Sequence, residues 1–271
     1  MSEIRIGIAE WCSPVPGPAA CRAAAECGLD GVEPDLGELR HGLPLSDPSV
    51  QRYWLDAQQK YAVGFPALAV NTLGGHCCIR PESPTQKELC RTIVSAAVDA
   101  AAALGIEILQ IPNFGKFMIQ DAADLDCAAL FYQWACETAE SRNILIGSES
   151  TLNAEENLQL YEKVNRPNYR IYYDNENAVF FRGEDPVRLL ETLGSRVCQI
   201  HLKDGSSQAL SSRPLGEGHG QAEACLNAMK HLGYSGWVVL ENDFDTEAFS
   251  RIGRFEAVRK DADWLKARLR T

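Results

Sequence analysis

Eight short apolar runs punctuate the chain, at residues 4–8, 31–33, 64–71, 106–111, 144–149, 170–174, 197–202 and 237–241. They are apolar along their length rather than alternating, the pattern of parallel strands buried on both faces. Parallel neighbours need a crossover, and the stretches between the runs have the length and period of helices. In the stretch 221–232, for example, Cys225, Leu226, Met229 and Leu232 share one helical face.

Helix starts are marked chemically. Ser83-Pro84 with Gln86 reads as a capping box with proline at the first helical position, Asp185-Pro186 repeats the device, and Asn153 with Glu156 makes a third start. A weak repeat, at residues 26–33, 103–108 and 232–239, passes through Gly28, Gly105 or Gly233 into an apolar run. Glycine closes a helix in the left-handed conformation at little cost, so each copy reads as helix end, then strand. Eight such units predict an α/β protein with a TIM (β/α)8 barrel, one domain spanning residues 1–271. An open doubly wound sheet is the alternative. Against it, no Gly-x-Gly-x-x-Gly follows the first run, which continues into Ala9-Glu10-Trp11-Cys12.

Composition narrows the functional classes. A hydrophobic fraction of 45% with 23% charged residues is globular rather than disordered usage. A net charge of −11 repels a phosphate backbone, and no basic run offsets it, so nucleic acid is not the expected partner. No segment reaches about 18 uninterrupted apolar residues. The opening Met-Ser-Glu-Ile-Arg-Ile lacks the basic and apolar regions of an export signal, which sets the expectation of a cytoplasmic protein with no membrane partner. Ten cysteines without a Cys-x-x-Cys pair read as reduced thiols behaving as small hydrophobes. The vicinal pair Cys77-Cys78 follows His76 and would suit a soft metal, but two adjacent thiols do not complete a site by themselves.

Functional side chains of a barrel project from the C-terminal ends of its strands. The last four runs close on Glu149, Asp174, His201 and Glu241. Taken singly, a strand-end acid caps the next helix and a lone histidine is a hydrogen-bonded structural group. Four consecutive strands ending this way point instead to one shared ligand. Converging carboxylates cost on the order of several kcal/mol unless compensated, and a divalent cation is the ordinary compensation. Oxygen-rich ligation with one nitrogen suits Mn²⁺ first, with Mg²⁺, Co²⁺, Fe²⁺ and Zn²⁺ as alternatives.

Three segments carry a family resemblance: His201-Leu202-Lys203-Asp204, Pro214-Leu215-Gly216-Glu217-Gly218, and Gly233-Tyr234-Ser235-Gly236-Trp237-Val238-Val239-Leu240-Glu241. In order and spacing they resemble the C-terminal half of the xylose isomerase-like TIM barrels, the sugar phosphate isomerase/epimerase group. Upstream, Tyr173-Asp174-Asn175-Glu176-Asn177-Ala178 resembles that group's Asp-x-x-Asn segment, and Glu149 stands at its fifth-strand glutamate. The resemblance is sharp over residues 144–243 and general before that.

The resemblance implies a metal-dependent epimerase or isomerase of a ketose, free or phosphorylated, working through an enediolate held at the metal. In ketose 3-epimerases of the group, the glutamates of strands five and eight bind metal and form the acid/base pair, a role that falls here on Glu149 and Glu241. A further glutamate six residues on touches the substrate; here that is Glu155, whose rival role is helix capping near Asn153. Asn177 stands where those epimerases have histidine, which leaves the substrate open.

His76 reaches the barrel mouth to meet a sugar hydroxyl or packs locally, and Trp11 walls a sugar face or packs at the rim. Lys203 and Arg213, near the seventh strand end, suit a phosphate or hydroxyl, with a solvated surface charge as the alternative for Arg213. Alternation along the strand puts Lys203 on the face of His201, with Lys203 or Asp204 beside the ligands. The competing functions are a keto-polyol dehydratase or lyase on the same metal, and a non-catalytic binding barrel. Apurinic endonucleases share the fold with a histidine-rich multi-zinc site, which five histidines and the acidic charge do not fit. The oligomeric state is open, a homo-oligomer included.

Overall fold

The computed structural model describes residues 4–269; the first three, read above for an export signal, and the ends of the domain expected over residues 1–271 lie outside them. Strand and helix alternate: β1 (Arg5–Ala9), α1 (Ala19–Glu26), β2 (Gly31–Glu33), α2 (Pro48–Tyr61), β3 (Leu68–Ala69), α3 (Pro84–Leu104), β4 (Ile108–Pro112), α4 (Ala122–Glu140), β5 (Leu145–Glu149), α5 (Ala154–Val164) and β6 (Tyr169–Asp174). Then come α6 (Asn177–Arg182), α7 (Pro186–Leu193), β7 (Val197–Leu202), a hairpin of β8 (Asp204–Ser206) and β9 (Ala209–Arg213), α8 (Ala222–His231), β10 (Trp237–Leu240), α9 (Glu247–Ser250) and α10 (Arg254–Leu269).

The eight barrel strands form one sheet in the order β2-β1-β10-β7-β6-β5-β4-β3. Each strand lies beside its neighbours in sequence, the cyclic order of a (β/α)8 barrel; the open doubly wound alternative requires a reversal of order that is absent. The seam between the sheet's ends carries parallel bridges, Gly31 to Gly64 and Asp35 to Ala69.

The chain divides into two compact units. One comprises Met1–Glu33, Asp56–Pro66 and Tyr173–Thr271. In it β1 pairs in parallel with β10 from Arg5↔Trp237 to Ile8↔Leu240 and with β2 from Gly7↔Gly31 to Ala9↔Glu33. The indole of Trp237 lies over Gly31 and Gly64, where an added Cβ would stand 2.6 and 2.8 Å from ring atoms, so both positions require glycine. The other unit comprises Pro34–Leu55 and Ala67–Tyr172. There β4 pairs with β5 from Ile108↔Leu145 to Pro112↔Glu149. A buried aromatic group of Phe117, Phe131, Tyr132 and Tyr169 packs beside them at centroid separations of 4.9 to 6.2 Å.

Three local expectations shift. The run 64–71 yields only the two residues of β3: Pro66 has no N–H for a ladder, and Asn71–Gly75 turns into a 3-10 helix. Glu241 stands one residue beyond β10, its N–H bonded to the carbonyl of Leu202. At α3 the Ser83 hydroxyl caps Gln86 N–H as expected, but the Gln86 side chain accepts from Glu82 N–H, one residue before the position a capping box requires. The box is complete at Asn153 with Glu156. All ten cysteines are reduced thiols. Among the described residues no helix is long and apolar enough to cross a membrane.

Candidate metal centre

Asp174 is the last residue of β6, His201 the fifth of β7, and Glu241 follows β10. The first amides of α6 fix Asp174, whose Oδ1 accepts from the N–H groups of Glu176 and Asn177, each at 2.8 Å. That leaves Oδ2 toward Lys203, whose Nζ stands 2.8 Å away. The same ammonium donates to Glu241 Oε2 at 2.6 Å. Lys203 is held from behind by Asn175, which accepts from its N–H and donates to its carbonyl at 3.0 and 2.8 Å.

His201 is fully buried. Its Nε2 lies 3.1 Å from Oε2 of the equally buried Glu33, and its Nδ1 lies 3.4 Å from Glu241 Oε2. Once Nδ1 gives up its proton in favour of a metal, Nε2–H, still donating to Glu33, would leave the Nδ1 lone pair on the Glu241 side. Trp11 Nε1 donates to Glu241 Oε1 at 3.1 Å, and its ring meets His201 edge-on at 5.9 Å. Burial alone would raise the Glu241 carboxyl; the charges of His201 and Lys203 and the hydrogen bonds of Lys203 and Trp11 outweigh it and draw the group down to about 2.

Glu149 ends β5 and is buried, and its Oε2 accepts from the Gln110 amide of β4. Its backbone carbonyl takes the N–H of Asn113 at 2.7 Å, and Asn113 Oδ1 in turn accepts from Tyr132 and Ser148. One ligand atom from each of Glu149, Asp174, His201 and Glu241 lies within 4.8 Å of all the others, and among the described residues this is the single such group of three or more. Three carboxylates and an imidazole, three of the four residues buried, are a hard, oxygen-rich donor set that fits a divalent cation. Lys203 alone does not balance three negative charges, and a dication does so directly.

The remaining predicted residues separate. Asn177 is buried at the start of α6 and serves Asp174 through its backbone. His76 is half-buried and lines a cavity of about 520 Å³ with Glu38, Leu39, Arg40, Asn71 and Thr72. Glu155 is exposed on the first turn of α5 and bonded to Gln159; its capping alternative is corrected, since that role belongs to Glu156. Arg213 is exposed at the end of β9. Asp204 does not face the ligands but organises a loop, its carboxylate accepting from Gly216 N–H at 2.6 Å and Gly220 N–H at 2.8 Å.

Two residues that touch the cluster escaped the sequence reading. Glu33 closes the second apolar run just as the four clustered residues close theirs, so the same rule applied to every strand end finds it. Gln110 lies within its run, and only strand pairing links it to Glu149.

A family profile described as xylose isomerase-like TIM barrel matches residues 21–268. The 2-epi-5-epi-valiolone 7-phosphate 2-epimerase of Actinoplanes sp. is 32% identical over 97% of this chain and 93% of its own. The L-ribulose-5-phosphate 3-epimerase UlaE of Salmonella heidelberg is 24% identical over 91% and 87%. A solved D-tagatose 3-epimerase-like protein superposes with a TM-score of 0.80 at 18% identity, covering 98% of this chain and 97% of that one.

Proposed function

The chain belongs to the xylose isomerase-like TIM barrel family, and from that premise we propose that it is a metal-dependent epimerase that inverts the carbon beside the ketone of a phosphorylated ketose or keto-polyol. The observation that carries this reading is the group of Glu149, Asp174, His201 and Glu241, which brings two glutamates together at one prospective cation. Both relatives named above act, by name, on phosphorylated substrates, and the -ulose and -one endings share a ketone.

These four residues would hold a divalent cation, manganese first, which when bound would supply Lewis acidity to the ketone. Glu149 and Glu241 move the proton. One carboxylate takes it from the carbon next to the ketone, and the other, as the acid, returns a proton to the opposite face of the enediolate. Lys203 holds Glu241 ionised and oriented, Trp11 fixes the other oxygen of the same carboxylate, and Glu33 sets the histidine tautomer. Arg40 and His76, which line one cavity, are the donors we assign to the phosphate or a hydroxyl of the substrate.

The test incubates metal-loaded protein in D₂O with L-ribulose 5-phosphate and a valiolone 7-phosphate, following deuterium at the carbons flanking the ketone by NMR. Inversion with exchange at one such carbon is expected, reduced about 10²-fold or more in Glu149→Gln and Glu241→Gln. Aldose formation makes the enzyme an isomerase, and loss of water makes it a dehydratase. No exchange at any carbon, with the variants indistinguishable from wild type, overturns the proton-transfer reading.

A further inference from the structure

Away from the carboxylate cluster, the thiols gather at one place. The loop after β3 carries Cys77-Cys78, and Cys78 Sγ lies 2.9 Å from Cys90 Sγ on the second turn of α3. Cys78 is 7% and Cys90 1% exposed, and both are reduced. A disulfide is about 2.05 Å long, so bonding these sulfurs closes a gap of about 0.9 Å. Cys77, although adjacent, turns elsewhere and donates to the carbonyl of Arg80 at 2.9 Å. The pair is not a metal site, since no third ligating side chain joins it among the described residues.

The loop also shapes the cavity. Cys78 N–H bonds to the carbonyl of His76 at 3.1 Å, with Cys78 Sγ at 3.7 Å from the same oxygen, and His76 lines the pocket. We propose that Cys78 and Cys90 are an oxidative modification site, closing to a reversible disulfide on reaction with a hydroperoxide and so tying the His76 loop to α3.

Cys78 S–H donates to Cys90, and this hydrogen bond holds the Cys90 thiol below its ordinary value, so Cys90 is the nucleophile. Its thiolate attacks one peroxide oxygen; the O–O bond breaks, hydroxide leaves and Cys90 becomes a sulfenic acid. Cys78 then attacks that sulfur, the S–S bond forms, and the sulfenic oxygen departs as water with the Cys78 proton. The hydroxide takes up the proton released from Cys90. In sum, two thiols and one hydrogen peroxide give one disulfide and two waters, sulfur oxidised and peroxide oxygen reduced.

The test treats the full-length protein with hydrogen peroxide, then counts thiols by alkylation after denaturation and maps linkages by tandem mass spectrometry. Two of the ten thiols are expected to disappear and to return with dithiothreitol, with Cys78 joined to Cys90. Closing so short a loop should raise Tm by on the order of 5 °C. Cys77→Ser should keep the linkage, and Cys78→Ala and Cys90→Ala should abolish it. Because either alanine variant can perturb packing, the wild-type linkage map decides independently. An unchanged thiol count, a linkage through Cys77, or a bond that forms only in unfolded protein overturns the proposal.

Discussion

Replacing Lys203 with methionine keeps the length and apolar stem of the side chain and removes only its charge. In the folded protein that ammonium stands 2.8 Å from Asp174 Oδ2 and 2.6 Å from Glu241 Oε2, 5% exposed. At an effective dielectric of about 20 each contact is worth roughly 6 kcal/mol of Coulomb attraction, most of it offset by the desolvation of the lysine. Removing one partner of such a buried set costs about 3–5 kcal/mol, because the carboxylates stay behind uncompensated. For a chain of this size that lowers Tm by roughly 10 °C in chelator-stripped protein. A divalent cation restores the missing positive charge, so the gap between variant and wild type should shrink by more than half on metal loading, and the variant should show the larger metal-induced shift. Acid unfolding gives a second reading. The lowered Glu241 contributes stability that is full above its ordinary value of 4.5 and is lost as pH falls toward about 2; without Lys203 the folded-state value rises back toward 4.5, so the variant has less of this stability to lose and its acid limb should be flatter. Thermal melts of stripped and loaded protein across pH 2–8 decide the matter. Equal melting of the stripped proteins, or a gap that metal leaves unchanged, refutes the view that Lys203 compensates the ligand carboxylates.

Glu33→Gln keeps the volume beside His201 Nε2 but removes the charge that fixes the imidazole, so metal affinity measured by calorimetry should fall about 10- to 100-fold with the fold intact. At Gly205, an added Cβ would collide with Glu176 Oε1 and stand 2.5 Å from Ala209 O and 2.8 Å from Ser211 N, so Gly205→Ala should cost about 1–3 kcal/mol and speed amide exchange in residues 204–213; unchanged exchange would mean that the hairpin is not seated on Glu176. Asp261, buried under Asn242 and Leu215, is pushed up to about 7 from 3.8, chiefly by burial. The native state therefore holds an extra proton between about pH 4 and 7, and stability should fall as pH rises through that window, by up to about 1.4 kcal/mol per unit. In urea titrations across that range, Asp261→Asn should flatten the slope.

The alternation of apolar runs with capped helices was enough to read the barrel from residue order alone, because strands buried on both faces leave an unbroken local pattern. The clustered group was legible for a related reason: in a barrel, position at the C-terminal end of a strand already fixes position in space, so Glu149, Asp174, His201 and Glu241 could be grouped without knowing a distance. Helix caps were legible where the signal spans three residues, as at Asn153 and Glu156.

What tertiary structure decided are matters of direction and of partnership across long separations. Glu155 and Glu156 differ by one residue, and on a helix that step turns a side chain by about 100°, which sends one glutamate to solvent and the other into the cap. Glu33 meets His201 across 168 positions from a strand that is not its sheet neighbour, and Gln110 meets Glu149 across 39 on adjacent strands; the strand-end position singles out Glu33, but nothing local to it names its partner, and nothing local singles out Gln110. The shortening of β3 reflects a ladder that Pro66 cannot join and a chain that turns at Asn71. Cys78 and Cys90 face each other only because the loop after β3 folds back on α3. Local patterning thus fixed which residues stand at the strand ends, while the packing of the folded chain decided which of them touch, and with what charge beside them.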